Sequence, residues 1–228
     1  MKSSIIFPTL AALTTAFPSS PYQVNPSSEI TANTPLGTMK WTGPLSPTSN
    51  ATTTLYGTAK SIYEQILTLN PSYSPWAFAD FRADMEAKGI TPEMIAAANA
   101  QVVRTPQSPN PAAAVMQRAP EWFDCGAGPD YVLWERCNEG RNYMRQLGGG
   151  RAQCGVEAGK CTRFSCAWGC GVFLCSRGSN YVLVDCASIA NDMERIDGAC
   201  RLDAWGNWWV KGRLVFDDHY TEVSLQSC

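Results

Sequence analysis

Three groups of residues in this chain of 228 could do chemistry. His219 is the only histidine; Asp217 and Asp218 precede it and Glu222 follows in the same stretch. An imidazole with carboxylates at hand is the equipment of general acid–base hydrolysis, and Arg213 or Arg163 would supply a cation for phosphate, as in a small secreted ribonuclease. The same residues also make a plain solvated turn, because Asp favours turn backbone. Trp205, Trp208 and Trp209 bring three indoles together around Asn207. An exposed indole stacks on sugar rings or rests at a lipid headgroup layer, whereas a buried one is core. Strand alternation turns at least one of Trp208 and Trp209 inward.

The third group is sulfur: Cys125, Cys137, Cys154, Cys161, Cys166, Cys170, Cys175, Cys186, Cys200 and Cys228. Ten cysteines confined to the C-terminal part form an even set that, outside the cell, reads as a disulfide framework. A zinc centre would use close Cys-x2-Cys pairs with histidine. Cys166 and Cys170 come nearest and His219 stands alone, so no metal and no cofactor are expected. A protease pairing Cys166 with His219 would require a free thiol, which a fully paired set does not leave. Spacing does not decide the connectivity. Cys228 is expected to tie the last strand back, and Cys166 or Cys175 to fix a hairpin to a helix.

Composition and address narrow the field. The chain is 45 % hydrophobic and 17 % charged with a formal charge of −2, which fits a folded protein and gives no basic patch for nucleic acid. Met1-Lys2-Ser3-Ser4, an apolar stretch from Ile5 to Leu13 and small residues up to Ala16 have the order of a secretory signal, with cleavage expected near Ala16. The apolar stretch is too short to span a bilayer, and no transmembrane segment is expected. Residues 17–54 are rich in Pro, Ser, Thr and Asn and read as a disordered linker carrying one glycosylation sequon at Asn50.

From Leu55 the period changes. Leu55, Ala59, Ile62, Tyr63, Ile66 and Leu69 form a helical stripe, Ser74-Pro75 opens a second helix that runs to Gly89, and Thr91-Pro92 opens a third reaching about Val103. Residues 55–103 are therefore expected to be a small all-α segment or pro-region. A Pro-rich linker over 104–124 follows, with Arg118 as a candidate processing point.

In residues 125–228, Leu133, Cys137, Gly140, Met144 and Leu147 make one helical stripe, and Cys186, Ile189, Met193, Ile196 and Cys200 make another. Between them Cys161–Cys166 and Gly171–Cys175 alternate as a hairpin through Trp168-Gly169, and a second hairpin joins Val210–Phe216 to Thr221–Leu225. The expected fold is α+β: a disulfide-rich sandwich of roughly four antiparallel strands with two helices on one face, preceded by the all-α segment. A module of about 100 residues buries too little surface to be secure unaided, and disulfides at about 2–4 kcal/mol each supply the remainder.

Asp124-Cys125-Gly126, Gly140-Arg-Asn-Tyr143-Met144, Cys161-Thr-Arg-Phe-Ser-Cys166, Phe173-Leu-Cys175, Cys186 with Ile189 and Ala190, Cys200, and Val210-Lys-Gly212 leading to Cys228 together resemble a group of small cysteine-rich secreted fungal proteins. That group includes extracellular effectors of plant pathogens and, more distantly, virus-encoded killer toxins. The resemblance covers the C-terminal module and implies a compact α/β sandwich. It also implies secretion and action by binding a host or competitor cell-surface target, not by catalysis. A ribonuclease-like hydrolase using His219, Asp218 and Glu222, and a cell-wall carbohydrate binder using Trp205, Trp208 and Trp209, are the alternatives from other classes.

Overall fold

A computed structural model describes residues 35–95, 122–126 and 130–228. Ala16 and Arg118, the two expected processing points, and most of the third N-terminal helix lie outside the described residues. Among the described residues the strands are β1 (Leu36–Gly37), β2 (Met39–Pro44), β3 (Thr52–Gly57), β4 (Trp122–Asp124), β5 (Val132–Leu133), β6 (Gln153–Val156), β7 (Cys161–Ala167), β8 (Cys170–Ser176), β9 (Val182–Asp185), β10 (Arg201–Ala204), β11 (Asn207–Val210), β12 (Gly212–Val215) and β13 (His219–Leu225). The helices are α1 (Ala59–Leu69), α2 (Ala79–Ala87), α3 (Asn138–Gln146) and α4 (Cys186–Cys200). A helical turn begins at residues 92–95, where Thr91-Pro92 marks a start.

The α+β class and the stapling stand, but the sheet is not single. Three sheets form: six strands in the order β1-β7-β8-β13-β12-β4, four in the order β3-β2-β6-β9, and three in the order β10-β11-β5. Both expected hairpins are present, and β13 pairs with β8 to join them. The second helical stripe is α4 itself. The first stripe divides: Leu133 ends β5, residues Trp134–Cys137 make a 3-10 turn, and α3 starts at Asn138.

Two readings of the N-terminal part are corrected. Residues 39–44, expected in a linker, are the inner strand β2, paired on one side with β3 and on the other with β6. Leu55, expected to begin a helix, lies in β3; α1 starts after Thr58, whose hydroxyl accepts the Ser61 amide in a capping box. Nor is the all-α segment separate. Met39, Trp41, Ile62, Ile66, Phe81 and Met85 join Met144, Leu147, Ile189 and Met193 in one core. Trp41 is fully buried, and its indole N–H donates to the Leu147 carbonyl at 3.0 Å. A tract poor in charge and rich in Thr and Pro looks like linker on average, yet one alternating strand within it buries enough apolar surface to order it.

All ten cysteines pair, as Cys125–Cys200, Cys137–Cys170, Cys154–Cys186, Cys161–Cys175 and Cys166–Cys228. Cys228 does tie the C-terminus back, to β7. The hairpin, however, is fixed through Cys170 to the turn before α3, while Cys175 meets its cross-strand neighbour Cys161. Every bridge lies within 125–228, so β1–β3 and α1–α2 are held to the module by strand pairing and core packing.

Three outcomes are expected. Trp41→Ala removes the largest side chain of the shared core and a buried hydrogen bond, and should lower unfolding free energy by about 3–5 kcal/mol in urea titration. Replacing Cys125 and Cys200 by Ala opens a loop of 75 residues and should lose about 4 kcal/mol. Opening Cys161–Cys175, a loop of 14, should lose about 3 kcal/mol.

Candidate functional site

His219 opens β13, where alternate residues face opposite ways. Thr221 and Val223 face α4 and the core, and the Thr221 hydroxyl donates to Asp192 at 2.9 Å. Tyr220, Glu222 and Ser224 face the other way, with Arg213 of β12. His219 and Glu222, three residues apart, therefore lie on opposite faces and share no reaction centre. Glu222 is buried against Arg213, whose Nε donates to it at 2.5 Å, and Ser224 donates to its other oxygen at 3.1 Å. Burial raises the Glu222 pKa and the Arg213 charge opposes the rise. The Arg213 guanidinium also lies over the Tyr220 ring and 3.8 Å from Asp124.

Asp218 does meet His219: Nδ1 is 2.6 Å from its carboxylate. The imidazole stacks on Phe216 with centroids 4.5 Å apart, and the Phe216 amide donates to the His219 carbonyl at 2.8 Å. Arg177 donates to the Phe216 carbonyl at 2.5 Å. These contacts define the β12–β13 turn. The histidine side chain is only 8 % exposed, whereas Asp217 is exposed beside it. Cys166 is bonded to Cys228, so it offers no thiolate to His219.

The tryptophans separate in the three-stranded sheet. Trp208 lies on the same face as Val210 and Val132 and packs against the core, with the Arg201 guanidinium 4.3 Å above its ring. Arg201 is in turn held by Asp197 at 2.6 Å. Trp209 lies on the opposite face, in register with Leu202 on one side and Leu133 on the other. Leu202 is exposed, and the Trp209 indole N–H donates to the Ala204 carbonyl at 3.3 Å. Trp205 stands at the β10–β11 turn, 86 % exposed, edge-on to Trp209 at 6.2 Å. Trp205, Trp209, Leu202 and Leu133 thus lie on one outward side, and Trp208 is half-buried on the side packed against the core.

Trp205 and Gly206 have φ of +54° and +72°, the two-residue turn with both central residues left-handed. That turn favours Asn-Gly, and a bulky residue in its first position is strained. The β7–β8 turn repeats the solution: Trp168 and Gly169 have φ of +53° and +85°, and Trp168 is 65 % exposed. Trp-Gly between two alternating runs was the signal for it in the sequence.

Several arginines of the module make internal contacts. Arg145 of α3 and Arg141 beside it both reach the Glu194 carboxylate of α4. Arg141 also donates to Asn138 at 2.7 Å and lies over Trp134. Burial, with the nearby Arg145 charge, lowers the Arg141 pKa to about 10. The Asn50 side of the sequon is exposed in the β2–β3 loop. Comparison with protein-family models, with characterised proteins and with solved structures finds no match for this chain.

Asp192 is the titrating group that sequence reasoning missed. It faces β13 from the middle of α4, and burial raises its pKa to about 7 against the Thr221 hydrogen bond and the charges of Arg195 and Lys88. A folded-state pKa above the unfolded value near 3.9 means that the native state holds the extra proton. Its contribution is fully present below about pH 4 and is lost as pH rises through about 7. Asp192→Asn should therefore raise the melting temperature at pH 8 by a few degrees and change it little at pH 4. Equal shifts at both pH values would show that Asp192 does not carry this dependence.

Proposed function

We propose that the protein is a secreted, disulfide-stapled binder of the fungal effector or toxin-like kind, which engages a host or competitor cell surface through the face made by Trp205, Trp209, Leu202 and Leu133. The observation that carries this reading is the exposed Trp205 on a left-handed turn position. A strained bulky residue that buries almost nothing of its own has no stabilising role there, and such outliers gather where proteins hold ligands. Five disulfides, and the absence among the described residues of any helix long and apolar enough to cross a membrane, are compatible with export.

The catalytic alternative brings only part of its set together: Asp218 meets the imidazole, but Glu222 is on the other face of β13 and is paired with Arg213. Carbohydrate stacking on the full tryptophan set fits less well, since Trp208 faces the opposite side of the sheet, half-buried against the core, and the Trp205 and Trp209 rings stand at 86° to each other instead of making a flat platform.

The test is binding of labelled, oxidised protein to intact target cells by flow cytometry. Trp205→Ala with Trp209→Ala should reduce bound protein about tenfold, the loss expected when two partly buried contacts disappear. His219→Ala should leave it unchanged, and neither parent nor variant should cleave RNA. Undiminished binding by the tryptophan variant, or RNA cleavage that His219→Ala abolishes, would overturn the reading.

A further inference from the structure

Trp168 and Trp205 stand at the same end of the molecule. The close approach of Gly148 to Ala187 and the contact of Arg141 with Glu194 show that α3 and α4 run antiparallel. The start of α3 is therefore beside the end of α4. Glu139, in the first turn of α3, accepts the Trp168 indole N–H at 3.0 Å. Cys200, the last residue of α4, leads directly into β10 and the Trp205 turn. The 3-10 turn Trp134–Cys137 lies between the tips: Cys137 is bonded to Cys170 beside the Trp168 turn, and the turn follows β5, the partner of β11.

Each tip has an exposed leucine close to its turn. Leu225 packs within 3.3 Å of the position a side chain would take at Gly169, and Leu202 neighbours Trp209 and the Trp205 turn. The surrounding charges alternate in sign. Lys60 pairs with Glu139 beside Trp168, Glu135 and Arg136 are exposed on the turn between the tips, and Asp203 is exposed next to Trp205.

We propose that the Trp168 and Trp205 tips form a two-point anchor that seats this end of the protein in the interfacial layer of a phospholipid bilayer. The proposal rests on the binding reading above and names the partner class. Three observations favour lipid over a protein pocket. The tips are exposed two-residue turns of different sheets, so a protein partner would need two recesses at fixed separation, whereas a bilayer surface accepts both. Indole is the side chain that settles at the water–lipid boundary, with its ring among the upper acyl carbons and its N–H toward water, and a leucine beside each indole adds apolar depth. The charges named around the tips, Lys60 and Arg136 against Glu135, Glu139 and Asp203, give no cationic field for acidic headgroups, so zwitterionic lipid suffices and salt has little effect. Insertion is peripheral: only the tips enter, and nothing crosses the bilayer.

The experiment is co-sedimentation of the oxidised, full-length protein with pure phosphatidylcholine vesicles, which contain neither sugar nor protein. Trp168→Asn and Trp205→Asn are the informative variants, because Asn suits the left-handed turn position that Trp strains. Each should weaken partitioning about tenfold, the equivalent of one apolar side chain left in water, and the double variant should stay in the supernatant. The melting temperatures should be unchanged or higher. Partitioning of the parent that varies less than twofold between low and high salt completes the expected result. Sedimentation of the double variant like the parent, or lipid binding that needs acidic headgroups and vanishes with salt, overturns the proposal. If the parent ignores vesicles while its cell binding still depends on Trp205 and Trp209, the lipid anchor is wrong and the binding face stands. If vesicle binding follows Trp168 and Trp205 but cell binding ignores Trp205 and Trp209, the anchor stands and the cell-surface reading fails.

Discussion

Helix α4 is held at both ends by sulfur, and the three sheets are organised around it. Its first residue, Cys186, is bonded to Cys154 in β6 of the four-stranded sheet, and its last, Cys200, to Cys125 beside β4 at the edge of the six-stranded sheet. The chain then continues without a break into β10 of the three-stranded sheet. Between these points Ile189, Met193 and Ile196 are buried in the core. A helix of 15 residues so constrained fixes the separation and order of three sheets that have few hydrogen bonds in common. Bridging residues far apart in sequence also restricts the unfolded chain, which stabilises a layered fold whose individual sheets are small.

The interior built around that helix is not purely apolar. Asp192 lies opposite Thr221, Glu194 gathers Arg141 and Arg145, and Asp197 holds Arg201 over Trp208. Buried ionic groups are tolerated only when they are paired and hydrogen-bonded, and each of these carboxylates meets a donor from a neighbouring element. Glu194 links α3 to α4, while Asp197 orients the residue at which the helix gives way to β10. The polar interior therefore sets register between elements, and its arginines are drawn away from any surface patch.

That register delivers the exposed end of the molecule. α3 begins where α4 stops, so the two Trp-Gly turns on two different sheets emerge together, one tied by a hydrogen bond to Glu139 and the other an immediate continuation of α4. Both indoles occupy a backbone conformation that favours Asn or Gly. The local sequence thus departs from the turn's own preference at two exposed positions, and such conflicts between local and global fitness are typical of functional sites.

The sequence by itself determined what depends on near neighbours: the helical stripe ending in Cys186 and Cys200, the two alternating hairpins, the caps at Thr91 and the glycines after Leu147, and the even number of cysteines. The placement of His219 was not legible: the sequence put it in a turn ahead of a strand starting at Thr221, and only the pairing of β13 makes it a strand residue on the face opposite Glu222. Tertiary structure decided the rest. Trp41 sits in a tract whose average composition is that of a linker, and only pairing with β6 and packing in the core it shares with Leu147 give it a place. Which of Trp208 and Trp209 faces inward depended on the pairing of β11 with β5, and which cysteines meet depended on how the sheets stack. Periodicity specifies the shape of a segment and the side it buries. It carries no information about which distant segment covers that side, because that choice is made by long-range packing summed over the whole core.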